Sequence, residues 1–302
     1  MTVLEAIQRS TEFLAKKGVD SPRLQTELLL AHLLKLPRMR LYLGFERVLT
    51  PMEVDGFREL IKRRGQREPL QHIVGSTSFC GLEITVNRDV LIPRPETELL
   101  AERGWTFLNH LSTLNSQPST VLDFGTGSGC LAIALACKCP ATEVYAIDIS
   151  AEALALARCN AARHGVAERV RFLHGDGFAA APGGARFDLI ISNPPYIPSG
   201  EIASLQPEVR DYDPHRALDG GADGLHYGRR LAAESAPFLK PHGRVMLEFG
   251  DGQAEGLRAI LQEQMWNVEA VEEDYTHRPR IMVARRSNST AEEPRARETQ
   301  TG

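Results

Sequence analysis

Apolar positions in the first seventy residues recur at three- and four-residue spacings: Leu4, Ile7, Phe13 and Leu14, then Leu24, Leu28, Leu29, Ala31 and Leu33. That is the period of helices with one apolar face, and it predicts four or five helices over residues 2–70. Ser21-Pro22 and Thr50-Pro51, the second followed by Glu53, mark helix starts, because proline is tolerated in a first turn whose N–H groups have no partner. Between Ser76 and Ile92 the period changes. Phe79, Leu82, Ile84 and Val86 surround Cys80-Gly81 and precede an Asn87-Arg88-Asp89 turn, which predicts a short β-hairpin. The run Ile92-Pro93-Arg94-Pro95-Glu96-Thr97-Glu98 leads into a helix expected to end near His110. Residues 111–119, rich in Ser, Thr, Asn and Pro, are expected to form a surface loop.

From Thr120 the chain alternates β-rich and helical runs. Strands are expected at Thr120 to Phe124, Glu143 to Ile147, Val170 to Leu173, Leu189 to Ser192 and Arg244 to Phe249. Helices are expected at 129–138, 151–164, 224–239 and 252–265. Such alternation implies a doubly wound parallel sheet. Two further strands, near Val268 to Val271 and Arg280 to Ala284, close the pattern. The polar tail, residues 287–302, is expected to be disordered.

Composition narrows the class of protein. Hydrophobic residues are 42% and charged residues 25% of the chain, as in an ordinary globular protein. No apolar run approaches the roughly 20 residues that cross a bilayer. Glu5 and Arg9 interrupt the first ten residues, so no secretory core is present there, and a cytoplasmic location is expected without a membrane partner. Five cysteines (Cys80, Cys130, Cys137, Cys139, Cys159) make an odd count without zinc-site spacing, and are read as buried, reduced thiols. The net charge of −4 hides an asymmetry: residues 1–75 carry 13 Lys/Arg against 9 Asp/Glu. That suits an acidic protein partner, RNA, or simply a solvated helical face.

Candidate chemistry begins at Val121-Leu122-Asp123-Phe124-Gly125-Thr126-Gly127-Ser128-Gly129-Cys130. A strand, a glycine turn and a helix start let the backbone approach a ligand and offer free N–H groups. Asp148 follows Gly129 by 19 residues and ends the next strand, where a carboxylate can accept both hydroxyls of a ribose. The dinucleotide fingerprint asks for a third glycine where this chain has Cys130. Asp123 would repel a pyrophosphate but can orient, through the loop or a water, the cationic end of S-adenosyl-L-methionine. After the third strand, Asp176 is placed to meet the exocyclic amine of adenine and Phe178 to pack on the base. A plain turn with a buried phenylalanine would leave the same pattern.

The strongest signal is Asp188-Leu189-Ile190-Ile191-Ser192-Asn193-Pro194-Pro195-Tyr196. A buried strand runs into a proline-stiffened loop at the sheet edge where ligands bind in open α/β folds. The side-chain carbonyl of Asn193 and the main-chain carbonyl of Pro194 can converge on one NH₂ group; both accept and neither donates. Gripping both protons favours a more tetrahedral nitrogen whose lone pair can attack a methyl group in line, and Tyr196 would pack on the substrate plane. The expected chemistry is methylation of a planar amide or amine nitrogen, without a metal.

With these residues in place the chain resembles the N(5)-glutamine methyltransferases of peptide chain release factors, the PrmC/HemK family. The resemblance covers roughly residues 5–286. It rests on Phe79-Cys80-Gly81-Leu82, on Ile92 to Glu98, on Asp123 to Gly129 and on Asn193-Pro194-Pro195-Tyr196. Ala217 to Leu225, Leu247-Glu248-Phe249-Gly250 and Asp274 to Arg280 add to it. It implies a helical substrate-docking domain (1–72), a hairpin linker (73–95) and a Rossmann-like, seven-stranded class I methyltransferase domain (96–286). By position it implies Gly125, Thr126, Gly127, Ser128, Gly129, Asp148, Gly177, Phe178 and Asn193 at the cofactor, and Asn193, Pro194, Pro195 and Tyr196 at the glutamine. Many relatives carry an aromatic residue where this chain has Gly177, which shifts the expected adenine packing to Phe178. The implied substrate is the glutamine of the Gly-Gly-Gln motif of class 1 release factors, met by a monomer without nucleic acid.

Three other functions fit part of the pattern. A near relative that modifies a glutamine in a large-subunit ribosomal protein fits most of it, and the Pro95-Glu96-Thr97-Glu98 run after Arg94 favours release factors. Adenine methyltransferases share the Asn-Pro-Pro-Tyr grip on a flipped base, but a pI near 6.2 and 6% aromatic residues do not suit a nucleic-acid surface. A non-catalytic cofactor-binding module would have no use for the intact Asn193-Pro194-Pro195-Tyr196 run.

Overall fold

The computed structural model describes residues 1–114 and 117–287. The expected disordered tail therefore lies, from residue 288 on, outside the described residues.

The N-terminal region is helical: α1 (Val3–Lys16), α2 (Pro22–Leu34), α3 (Arg38–Tyr42), α4 (Pro51–Gly65) and α5 (Leu70–Val74). Helices α1 and α4 each open with a capping box. Thr2 accepts from the Glu5 N–H while Glu5 accepts from the Thr2 N–H, and Thr50 and Glu53 repeat the exchange. Pro22 does start α2, but Ser21 sits in the left-handed region and its hydroxyl caps nothing. Ile7, Leu14, Leu29, Leu30 and Phe57 fill a core belonging to these helices alone. Glu27, 1% exposed inside it, is satisfied by Arg23, Arg38 and the Tyr42 hydroxyl.

The hairpin pairs β1 (Ser76–Phe79) with β2 (Leu82–Thr85) antiparallel. Its two-residue turn, Cys80-Gly81, has φ of 51° and 78°, the left-handed geometry that matches the twist of a tight hairpin. Helix α6 (Pro95–Leu114) follows and runs past the expected stop at His110, so the first part of the expected loop is helical.

The remaining strands are β3 (Thr120–Phe124), β4 (Glu143–Asp148), β5 (Val170–His174), β6 (Phe187–Ser192), β7 (Leu239–Glu248), β8 (Trp266–Glu273) and β9 (Pro279–Arg286). They form one seven-stranded sheet in the order β5-β4-β3-β6-β7-β9-β8. Five strands are parallel; β9 inserts antiparallel between β7 and β8, so the doubly wound sheet is mixed at one edge. Helices α7 (Cys130–Lys138), α8 (Ala151–Arg163), α9 (Pro207–Arg210), α10 (His226–Glu234) and α11 (Ala254–Glu263) complete the chain order. Residues of β6 show why it reads as an unbroken apolar run: Leu189 and Ile191 pack with Leu100 of α6 and Ile133 of α7. Ile190 packs on the other face with Leu231 of α10 and Leu257 of α11.

Two expectations are corrected here. The helix expected over 224–239 stops at Glu234, because Pro237 turns the chain through a short 3₁₀ segment. The strand expected from Arg244 begins at Leu239. Pro241 and Gly243, turn signals in sequence, fall where pairing with β6 is interrupted between Phe187 and Leu189. Among the thiols, Cys130 and Cys139 are buried, Cys80 and Cys137 half-buried, and Cys159 faces solvent on α8.

Candidate active site

Strand order reverses between β3 and β6, and the loops after β3, β4, β5 and β6 open together at their carboxyl ends. One cavity there is lined by Gly125 to Ser128, Asp148 to Ser150, Gly175 to Gly177 and Asn193 to Pro195. Pro93 and Thr97, from the start of α6, close its side.

The glycine loop is folded by its own backbone. Gly125 and Thr126 N–H groups donate to the Ile147 carbonyl at 2.9 and 3.0 Å. Gly125 and Gly127 have φ of 77° and 54°, and a Cβ built on either would meet nothing within 4 Å. Their glycine requirement is conformational, and the space over them is open to the cavity. Asp148 accepts from the Gly127 N–H at 2.8 Å and the Ser150 N–H at 2.9 Å, which fixes its carboxylate at the end of β4. Thr126 and Ser128 line the cavity with little side-chain exposure, and Gly129 lies behind it, starting α7. Asn160, on α8 and fully buried, joins the loop to the hairpin by donating to the carbonyls of Ser128 and Thr85.

Asp123 does not face the cavity. It is fully buried beneath the loop, accepting from the Thr126 hydroxyl at 2.6 Å and the Ala132 N–H at 3.2 Å. Burial pushes its carboxyl up to about 7 against those two hydrogen bonds. Any influence on a ligand passes through the loop. Phe178 is displaced more plainly from its expected role. Its ring lies 4.8 Å from Phe238 and 5.1 Å from Phe124 by centroids, inside the core, and it does not line the cavity. Gly177, in the left-handed region, and Asp176 do line it. The Asp176 carboxylate is paired with Arg230 at 2.5 Å.

At the end of β6 the loop Asn193 to Tyr196 is held by Thr97 and Glu248, residues of two resembling segments to which the sequence assigned no role. The Asn193 side-chain NH₂ donates to the Thr97 hydroxyl at 2.9 Å, and that hydroxyl donates to Glu248 at 2.7 Å. Asn193 Oδ1 and the Pro194 carbonyl accept no hydrogen bond from the described residues. Tyr196 does not line the cavity either; its hydroxyl reaches Glu248 at a long 3.4 Å and its carbonyl accepts from Gln253 at 2.8 Å. Glu248, 2% exposed in β7, is pushed up to about 7 by burial, with Thr97 and Tyr196 opposing and Glu96 assisting. An acid between the apolar run Val245-Met246-Leu247 and Phe249 was the sequence signal for it.

Of the other resembling segments, 217–225 braces this loop and the rest are tied down elsewhere. Ile197 bridges to Asp219, and Gly220 and Gly224 pack so closely under Tyr196 that a Cβ on either would meet its backbone within 3 Å. Arg94 pairs with buried Asp213, Glu98 accepts from the Cys80 N–H, and Asp274 pairs with Arg280.

Comparison with known proteins bears on the family of the chain. Residues 5–75 match the PrmC N-terminal domain and residues 104–205 the methyltransferase small domain. A release factor glutamine methyltransferase of Geobacter sulfurreducens is 45% identical, aligned over 84% of this chain and 86% of its own. One of Chlorobaculum tepidum is 43% identical, over 90% and 93%. Among solved structures a human methyltransferase 10 domain containing protein shares the fold, with TM-score 0.50 and 15% identity over 68% of this chain and 88% of that one. With hairpin, glycine loop and Asn193-Pro194-Pro195-Tyr196 all in place, and identity at this level over nearly the full length of both relatives, the chain belongs to the release factor glutamine methyltransferase family.

Proposed function

We propose that the chain transfers a methyl group from S-adenosyl-L-methionine to the side-chain amide nitrogen of a release factor glutamine, that of the Gly-Gly-Gln motif. The observation that carries this reading is the pair of carbonyl acceptors, Asn193 Oδ1 and Pro194 O, to which no described residue donates, at the edge of the cavity floored by Gly125 and Gly127. The cavity fits the cofactor: it has open space over two glycines, a fixed carboxylate at Asp148 and apolar walls from Leu131, Ile147 and Pro93.

When bound, the cofactor supplies an electrophilic methyl carbon on a sulfonium. The rest falls to the chain. Asp148 has lone pairs left for ribose hydroxyls, and Gly177 leaves room beside them for the base in place of Phe178. Asn193 Oδ1 and the Pro194 carbonyl accept the two amide protons of glutamine, drawing the nitrogen lone pair out of conjugation. Pro195 stiffens the loop so that both acceptors are held in place before substrate arrives, which is where positioning catalysis gains its rate. A strong base is not needed before attack, since the proton becomes acidic only afterwards. Tyr196, turned toward Glu248, braces the loop rather than stacking on the substrate. The N-terminal helices would dock the release factor, the enzyme acting as a cytoplasmic monomer without nucleic acid.

The test is transfer of labelled methyl from S-adenosyl-L-methionine to purified release factor, beside its Gln→Ala variant in the Gly-Gly-Gln motif. Label on the first alone is expected. Label on neither, with the enzyme folded and cofactor bound, rejects the substrate.

A further inference from the structure

The Asn193 amide can present either end to the cavity, and only one end suits the reaction. If Nδ2 rather than Oδ1 faced a substrate NH₂, two donors would meet and the grip would be lost. Something in the fold has to choose between them.

The choice is made two hydrogen bonds away. Thr97 Oγ1, 2% exposed as a residue, lies 2.9 Å from Asn193 Nδ2 and 2.7 Å from Glu248 Oε2. A hydroxyl has one proton. An ionised Glu248 accepts and never donates, so it takes that proton, and Thr97 can then only accept from Asn193. The amide must offer Thr97 its NH₂ and leave Oδ1 for the cavity. A protonated Glu248 can instead donate to Thr97, whose own proton is then free for Asn193 Oδ1, and the reversed amide is equally satisfied.

We propose that Glu248 is a positioning residue which, when ionised, fixes the Asn193 side chain through Thr97 with its carbonyl toward the substrate. The inference rests on the reading that Asn193 grips a substrate NH₂. The surroundings of Glu248 fit a group that changes state. Thr97 and Glu96 face it from α6, Tyr196 from the loop after β6, and Arg280 from β9, whose Ile281 pairs with Glu248 in the sheet. Burial and Glu96 favour the neutral acid; the two hydroxyls and Arg280 favour the carboxylate. Arg94 and Arg280 both act on Tyr196, the second hydroxyl on the same acid.

The experiment compares wild type with Thr97→Val, Thr97→Ser and Glu248→Gln, using S-adenosyl-L-methionine and purified release factor. Thr97→Val keeps the shape and removes the relay; kcat is expected to fall about 10- to 100-fold with KM for the cofactor unchanged. Thr97→Ser restores the hydroxyl and is expected to recover to within about threefold of wild type. Wild-type kcat is expected to rise with pH through one ionisation near 7, and Glu248→Gln, which can donate or accept, to lose that limb. Thr97→Val within about threefold of wild type, or a limb that survives in Glu248→Gln and is not removed by adding Asp123→Asn, the other carboxyl held near 7, or that Asp123→Asn alone removes from wild type, overturns the proposal.

A substrate-independent reading separates this from the proposed function. The side-chain NH₂ resonances of Asn193, assigned by their loss in Asn193→Ala, should shift across the same ionisation in wild type and stay fixed in Glu248→Gln. If wild type transfers no methyl to release factor, the substrate is wrong and these resonances alone decide the relay. If they do not move, the relay is wrong whatever the substrate.

Discussion

Arg64, buried on α4, donates to Glu208 at 2.6 Å across 144 positions of sequence, and Arg67 donates to both oxygens of the same carboxylate. Glu208 lies on α9, in the segment that leaves the Asn193 to Tyr196 loop. This ion triad ties the helical N-terminal region to the segment that follows the Asn193 to Tyr196 loop. The Tyr212 hydroxyl, donating to the Gln66 carbonyl at 3.3 Å, adds a second tie.

Removing Glu208 leaves Arg64 3% exposed with Gln25 and the Glu68 carbonyl as its remaining partners. An uncompensated buried charge costs about 3 kcal/mol. Glu208→Ala is therefore expected to lose that much in urea unfolding, far above the effect of a surface pair. A loss below about 0.5 kcal/mol would mean that water already screens the triad.

Asn193→Ala removes one of the two acceptors proposed for the glutamine amide. By analogy with deleting one group from a preorganised polar site, kcat should fall about 10²- to 10³-fold. The lost bond to Thr97 is one of few that Asn193 makes, so unfolding free energy should change by about 1 kcal/mol. Single-turnover methyl transfer near the native rate in a folded variant would show that Asn193 does not grip the substrate.

What the sequence disclosed and what it concealed divide along a physical line. Groups whose role depends on neighbours in the chain were legible: the Thr50–Glu53 helix start, the Cys80-Gly81 turn, and the glycine turn at 125–129. Groups whose role depends on distant partners were not. Thr97 and Glu248 meet across 151 positions, and nothing local in the sequence of either announces the other. Phe178 was ambiguous for a related reason. A phenylalanine after the third strand can serve ligand or core, and only Phe124 and Phe238, from β3 and the turn before β7, decide for the core. The start of β7 was obscured by Pro241 and Gly243, which a bulged stretch of strand tolerates.

Gly224 shows how closely the resembling segment at 217–225 packs under the Asn193 to Tyr196 loop. Its φ is 75°, and a Cβ there would stand 2.2 Å from both the Tyr196 carbonyl oxygen and Gln253 Nε2. Gly224→Ala must therefore push the Tyr196 backbone or break the Gln253 clamp. Since a shift of about 1 Å at a reacting centre costs roughly 100-fold, kcat should fall by that order. Cofactor affinity, measured by calorimetry, should stay within about threefold, because the glycine loop is on other strands. Equal losses in affinity and kcat would point to general unfolding instead.

Asp123 gives a prediction with the opposite sign from the usual acidic residue. An ordinary carboxylate paired in the native state loses stability in acid; Asp123 is buried, with Oδ1 lacking any partner among the described residues, and is held near 7 against an ordinary value of 3.8. The unfolded chain releases this proton in acid while the fold keeps it, so the folded state binds more protons through the interval. Stability is fully present below the ordinary value and falls as pH rises toward 7. Glu248, raised for the same reason, adds to the slope. Asp123→Asn keeps an oxygen for Thr126 and Ala132 but has no proton to lose. The drop in unfolding free energy between about pH 5 and about pH 8 should therefore shrink by about 2 kcal/mol in the variant, with Glu248 supplying what remains. Urea titrations of both proteins at the two pH values measure it directly. Parallel pH dependences would mean that Asp123 is ionised in the fold at both, its charge borne by the Thr126 hydroxyl and the start of α7.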